Sequence, residues 1–214
     1  HKVINRSAGA WQGQMFGQLK RDNSEDPGKS DQGIFTLGTF LGGAWGTPDE
    51  HYNKLKFANF SEEKLSVDAK DAWVAMVQHY FVSAWIPGDL KLTQGEGQAF
   101  TAKLESRKSA DDMNIIGFTS PTITVPAGTV AEVDATFYSG PKIQSELKDL
   151  AIGLNQTVDY GWLWPIAKLL FLGLQFFHGI VGNWGWSIIL LTILVKLILW
   201  PLSSKSYRSM AKMR

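Results

Sequence analysis

Lys196 is the residue in this chain whose setting most demands a chemical explanation. It lies inside Trp184 to Leu202, which reads Trp-Gly-Trp-Ser-Ile-Ile-Leu-Leu-Thr-Ile-Leu-Val-Lys-Leu-Ile-Leu-Trp-Pro-Leu. A lysine near the centre of a membrane helix costs about 2.5–3.5 kcal/mol on insertion scales. The Ile, Leu and Val side chains around it return about 0.3–0.6 kcal/mol each, so the segment can still insert. At 100° per residue, Thr192 and Ser203 fall within about 40° of Lys196, giving one polar stripe on an oily helix. An ammonium on such a stripe can line a wet cavity and attract carboxylates. It can also snorkel, laying its stem along the helix and its head among the lipid headgroups.

Other combinations of reactive side chains point to less. His51, His79 and His178 show no metal-ligand spacing, and no metal site is expected. Asp49-Glu50 and Asp111-Asp112 are paired acids, but neighbours on a strand face opposite ways, so they read as solvated turns rather than a general acid and base. There is no phosphate-binding glycine loop and no nucleophile elbow. The chain has no cysteine, which excludes disulfides and thiolate metal sites. Trp11, Trp45, Trp73 and Trp85 suit a sugar-stacking platform or, more simply, the packing of a β-rich core. No catalytic residue and no cofactor follow from these patterns.

The element that must position Lys196 is a transmembrane helix over 183–202. Its length is close to the roughly 20 apolar residues that cross hydrocarbon. Trp162 and Trp164, Trp184 and Trp186, and Trp200 mark the headgroup layers as interfacial anchors. Lys205, Arg208, Lys212 and Arg214 follow as a basic flank, and no acidic residue occurs after Asp159. Basic flanks stay on the cytoplasmic side, so the C-terminus is expected inside and the larger N-terminal part outside. The tail 203–214 begins a cytoplasmic region that touches anionic headgroups.

Just upstream, Pro165 to Phe177 reads as a helix of about 14 residues, too short to cross. Lys168, Gln175 and His178 share a narrow polar face, and Gly179, Gly182 and Asn183 interrupt the pattern. An amphipathic helix lying in the outer interface is expected within 156–182. Before that, Ile143, Leu147, Leu150, Ala151 and Leu154 follow helical spacing after Pro141, which suits a helix's first turn.

Residues 1–140 read as strands. Short apolar runs are separated by Gly, Pro, Asp and Asn. Asn23 to Gly33 reads as a polar loop. Ile34 to Phe40 and Trp73 to Trp85 are the better strand candidates. Thr122 to Val125, Pro126-Ala-Gly128 and Thr129 to Tyr138 suggest a hairpin, whose second arm alternates Val133, Ala135 and Phe137 with Glu132, Asp134 and Thr136. A mainly β sandwich or barrel over 1–155 is expected. Of the 214 residues, the first 150 hold 15 Lys or Arg and 19 Asp or Glu, a net of 15 − 19 = −4. A basic nucleic-acid face is therefore not expected. The chain opens on His1 with no signal-peptide pattern, and an internal fragment of a longer protein is expected.

Several motifs resemble one family. Asp159-Tyr-Gly-Trp-Leu-Trp164, Val181-Gly-Asn-Trp-Gly-Trp-Ser187, Pro201-Leu202 and Ser209-Met-Ala-Lys-Met-Arg214 are similar to the YidC-type membrane protein insertases of Gram-negative bacteria. Phe16-Gly-Gln-Leu-Lys20, Thr47-Pro-Asp-Glu50, Trp73-Val-Ala-Met76 and Ala84-Trp-Ile-Pro87 resemble that family's periplasmic domain. The resemblance implies a β-supersandwich of the galactose-mutarotase-like type, an interfacial helix, and the first of five core helices around a hydrophilic groove. It implies that Lys196 stands where the family carries a groove cation, usually arginine, with Thr192 as polar lining. It further implies nascent membrane proteins as partners, together with the lipid bilayer, the Sec translocon and the ribosome, in the inner membrane and without enzymatic chemistry. The competing reading is a membrane-anchored periplasmic carbohydrate-binding or sugar-modifying protein.

Overall fold

The computed structural model describes residues 1–24, 40–62, 64–93, 96–158 and 164–212, with the backbone alone at 164, 202, 203 and 205–212. The chain divides into two compact units, His1–Asp159 and Tyr160–Arg214.

The first unit is built from β1 (Lys2–Ile4), β2 (Trp11–Gly13), β3 (Phe16–Arg21), β4 (Gly42–Gly46), β5 (Asn53–Lys56), β6 (Ser66–Ala69), β7 (Trp73–Val77), β8 (Phe81–Leu92), β9 (Gln98–Ala99), β10 (Ala102–Lys108), β11 (Asn114–Thr119), β12 (Ile123–Val125) and β13 (Val130–Pro141). All pairings are antiparallel. One sheet runs β1-β13-β8-β7-β4-β5, with β9 on β8; a second runs β3-β11-β10-β6; β12 and β2 form a third pair.

The two larger sheets form a sandwich because period-two alternation gives each an apolar face. Val74 and Met76 of β7 and Val133 of β13 share one buried core with Leu104 of β10 and Ile116 and Phe118 of β11. The other face of the large sheet carries Trp73, Ala75, Val77, Val82 and Ala84, which pack with Leu147 and Leu154. All five residues of β7 are therefore buried, which explains why its sequence is an unbroken apolar run. The cover over the second face is a short helix, α1 (Gln144–Leu150), followed by a 3-10 turn at Leu154–Thr157. The buried Trp73 donates its indole N–H to the Ile152 carbonyl at 2.8 Å, which pins this strap to the sheet.

Four expectations need correction. Trp73 to Trp85 is two strands, because the chain reverses at Gln78, whose N–H donates to the Phe81 carbonyl at 2.9 Å. The turn at Pro126–Thr129 exists, with Gly128 at φ +74°, but its arms do not pair with each other. Instead β12 pairs with β2, and β13 joins β1 and β8. Alternation identified β13 as a half-buried strand but carried no information on its partner. The helical spacing from Ile143 to Leu154 outruns the helix, since Ala151 is extended and Gly153 adopts φ +82° against the His51 backbone. Pro141 ends β13 rather than opening the helix. The strand expected at Ile34 to Phe40 and most of the loop expected at Asn23 to Gly33 lie outside the described residues.

Two substitutions test the strap. Leu147→Ala removes a fully buried side chain and should cost about 2–5 kcal/mol. Gly153→Ala combines positive φ with a backbone contact that a Cβ would violate, and should cost upwards of about 1 kcal/mol. Urea unfolding in detergent micelles, followed by tryptophan emission, measures both. Wild-type midpoints would show that the strap does not hold the sheet.

Candidate functional site

The second unit contains two helices, α2 (Trp164–Val181) and α3 (Trp184–Lys212). The expected helix at Pro165 to Phe177 is real but longer, and it runs through Gly179. A mid-helix glycine costs about 1 kcal/mol without stopping the helix. The stop is Gly182, at φ +66°, whose N–H donates to the His178 carbonyl at 2.8 Å. Asn183 then caps α3: its Oδ1 accepts from the Gly185 N–H at 2.8 Å and the Trp186 N–H at 3.3 Å. With only Gly182 and Asn183 between them, the helices are packed neighbours, and at Gly173 an added Cβ would lie 3.0 Å from Leu191 Cδ1. The His178 ring stacks on Trp184, centroids 3.9 Å apart and planes 18° from parallel.

Within α3, Ser187 is buried and Leu190, Leu191 and Val195 are half-buried. These positions form the side toward α2. At 100° per residue Lys196 lies roughly opposite them, and Thr192 lies within about 40° of Lys196. The structure places both on the exposed face. The Thr192 hydroxyl is already used, donating to the Ile188 carbonyl at 2.7 Å. The Ser187 hydroxyl likewise donates to the Asn183 carbonyl at 2.7 Å. Neither helix contains an Asp or Glu, so Lys196 has no carboxylate partner within this unit. In depth it is off-centre, about 18 Å of helical rise from Trp184 but only about 6 Å from Trp200.

The stretch Trp184–Pro201 is long and apolar enough to cross a membrane, and almost none of it is buried. Trp184, Trp186 and Trp200 are 49%, 60% and 71% exposed. Trp164 opens α2, and Trp162 lies outside the described residues. On α2, Lys168 and Gln175 are exposed, whereas His178 leaves their polar face to pack on Trp184. The helix does not end at Leu202. It continues through Pro201 to Lys212, carrying the backbone of Lys205 and Arg208, while Arg214 lies outside the described residues.

Among the described residues, the first unit gathers no comparable constellation. No three His, Asp or Glu residues converge on a metal position among the described residues. Asp49-Glu50 sits in the turn after β4, where the Thr47 N–H donates to the Glu50 carbonyl at 2.8 Å. Asp111-Asp112 sits in the turn after β10, and Lys108 beside Asp112 at 2.6 Å holds that carboxyl below its ordinary range. Lys2 does the same to Glu132 at 2.8 Å. These are exposed ion pairs. Of the tryptophans, Trp73 is fully buried, Trp85 packs on Phe118 and Phe137, and Trp45 packs on the core. Trp11 alone of the four is exposed.

Comparison with known proteins places a family boundary inside α2, beyond the Asp159/Tyr160 division between the units. The family model for the YidC periplasmic domain matches residues 1–172, and that for the 60Kd inner membrane protein matches residues 176–214. The membrane protein insertase YidC of Pseudomonas aeruginosa strain PAO1 is 48% identical over 212 residues, covering 99% of this chain and 35% of that protein. The protein of the same name from Stutzerimonas stutzeri strain A1501 is 48% identical over 214 residues, covering 99% and 36%. That from Pseudomonas putida strain F1 is 47% identical over 212 residues, covering 99% and 36%. The chain thus spans about a third of the length of these relatives.

The cap that starts α3 makes a direct prediction. Asn183→Ala should destabilise the first turn by about 0.5–2 kcal/mol. Hydrogen exchange at the Gly185 and Trp186 amides should quicken accordingly, while exchange in the sheets of the first unit stays unchanged. Unaltered exchange at both amides would show that the side chain is not the cap.

Proposed function

This chain belongs to the YidC family, and we propose on that premise that it forms the outer domain and first groove-lining helix of a membrane protein insertase. Such a protein helps newly made inner-membrane proteins insert and fold by physical means, without bond-making chemistry. In this reading residues 1–155 are periplasmic, 156–182 hold the linker and interfacial helix, 183–202 cross the membrane, and 203–214 begin the cytoplasmic region. The basic flank at Lys205, Arg208, Lys212 and Arg214 supports that orientation.

The observation that carries the proposal is Lys196. It is the one charge in an otherwise apolar span, it has no acid on either helix, and it lies on the face of α3 turned away from α2. A nascent chain must carry polar tails across hydrocarbon at several kcal/mol for each unsatisfied group. A hydrated groove bearing a positive charge lowers that cost and draws in acidic residues. At 4 Å and an effective dielectric of 20, one such attraction is about 4 kcal/mol before desolvation. The apolar part of the substrate then leaves sideways into lipid. Thr192 contributes less than its position promised, since its donor is spent on its own helix and only the oxygen lone pairs face outward. The further helices enclosing the groove, and partnership with a Sec-type channel and the ribosome, belong to the same proposal.

The test needs the longer protein of which these residues would be part. Lys196→Ala should slow insertion of a substrate with an acidic translocated tail by about tenfold, equivalent to about 1.4 kcal/mol. Lys196→Arg should keep the rate, and a substrate whose tail lacks acids should respond little. Wild-type insertion by the alanine variant would leave Lys196 a snorkelling residue.

A further inference from the structure

The joint between α2 and α3 is short and built on a permissive residue. Only Gly182 and Asn183 separate the two helices. Gly182 sits at φ +66°, and glycine's freedom on either side of φ = 0° makes it the point about which α3 turns most easily. A joint of that kind fixes the direction of the next helix only if side chains hold it.

One side-chain contact crosses the joint at its apex. His178, in the last turn of α2, stacks on Trp184, the first residue of α3, with centroids 3.9 Å apart and planes 18° from parallel. Each ring stands on a turn that is itself closed by hydrogen bonds. The His178 carbonyl accepts from the Gly182 N–H at 2.8 Å. The Asn183 side chain accepts from the Gly185 and Trp186 amides, at 2.8 and 3.3 Å, in the turn that carries Trp184. The other close approach, Gly173 against Leu191, limits how far the helices separate. It resists rotation less, because glycine has no side chain to interlock.

A flat stack is sensitive to rotation. The helix radius with side chains is roughly 5–6 Å, so a roll of about 30° carries the indole about 3 Å sideways, enough to end most of the ring overlap. α3 is one continuous helix from Trp184 to Lys212, so the same roll is passed on to Lys196 and moves its side chain by a similar distance. We propose that His178 is a positioning residue: through its stack on Trp184 it sets the roll of α3 and keeps Lys196 on the face turned away from α2. Its bearing on insertion rests on the reading of Lys196 as the charge of a hydrated groove.

The chain has no cysteine, so nitroxides can be placed without background through Leu169→Cys and Leu197→Cys, both at exposed positions. Double electron–electron resonance on the full chain in lipid nanodiscs should give one narrow distance distribution. His178→Ala should broaden it or shift its centre by about 3 Å. Trp184→Ala should do the same, and the double variant should be no worse than either alone, as for partners in one contact. His178→Phe returns a flat ring and should return the narrow distribution. In the longer protein, His178→Ala should slow insertion of a substrate with an acidic translocated tail by about threefold, and His178→Phe should recover the rate. An unchanged distribution in the alanine variants, or a phenylalanine variant as impaired as alanine, would overturn the proposal. So would wild-type insertion by His178→Ala while Lys196→Ala remains slow. Wild-type insertion by Lys196→Ala sinks the groove reading instead, and the label distances then decide alone whether the stack sets the roll.

Discussion

The outward surface of α2 and α3 is the constraint on which the second unit depends. Leucine, isoleucine, phenylalanine and tryptophan project from nearly every side of both helices, among them Leu169, Phe176, Ile180, Leu197, Ile198 and Trp200. Leaving one such side chain in water rather than burying it forfeits about 1.5–3 kcal/mol, and soluble monomers seldom expose apolar patches beyond a few hundred Å². Of this surface, the stretch Trp184–Pro201 is long and apolar enough to cross hydrocarbon. Lipid then imposes a second demand, since it offers backbone groups no hydrogen bonds. The connection between the helices is accordingly minimal. Gly182 closes one helix onto its own last carbonyls, and Asn183 supplies with its side chain the acceptor that water would otherwise provide.

The same demand sorts the polar side chains of α3. Ser187 and Thr192 return their hydroxyls to carbonyls one turn back, so each has its donor satisfied within the helix. Such bonds carry polar residues into lipid with little penalty, and they make a hydroxyl a weaker sign of function than its mere presence in an apolar run. An ammonium has three donors and cannot be satisfied in this way. Lys196 must therefore find water, a headgroup or another chain.

The sequence was informative where one physical cause decides the outcome and uninformative where two compete. Alternation along β13 and the unbroken apolar run of β7 revealed strands, because burial on one face or both leaves that mark. Pairing was another matter. β12 and β13 flank a genuine turn, yet they belong to different sheets, since strand partners are set by contacts more than a hundred residues apart, such as Ile123 with Gly13 and Ala131 with Val3. α1 ended early for a similar reason: helical spacing describes which side chains are buried, and Leu154 is buried beside Leu147 from a 3-10 turn as well as it could be from a helix. In the second unit the long apolar stretch Trp184–Pro201 was legible from its composition. The stacking of His178 on Trp184 was not, as it depends on where α2 stops.

The position and direction of Lys196 bear on what its charge can do. Lying about 6 Å of rise from Trp200, it is within a lysine stem's reach of the nearer headgroup layer, which favours snorkelling. Helix geometry opposes it. Every Cα–Cβ bond leans toward the helix N-terminus, so the stem sets out toward Thr192 and the middle of the span, and reaching the headgroups beyond Trp200 requires it to turn back on itself. An ammonium that follows its natural direction is stable only if the mid-membrane face of α3 is wet. On that face, lysine in place of the arginine implied by the resemblance alters the kind of contact rather than its sign. A guanidinium grips a carboxylate at two points in one plane, whereas an ammonium acts as a point charge with rotatable donors. In the proposed function, attraction without fixed geometry would suit a surface that receives many sequences and then releases each one, because little orientational order would have to form on arrival or be lost on departure.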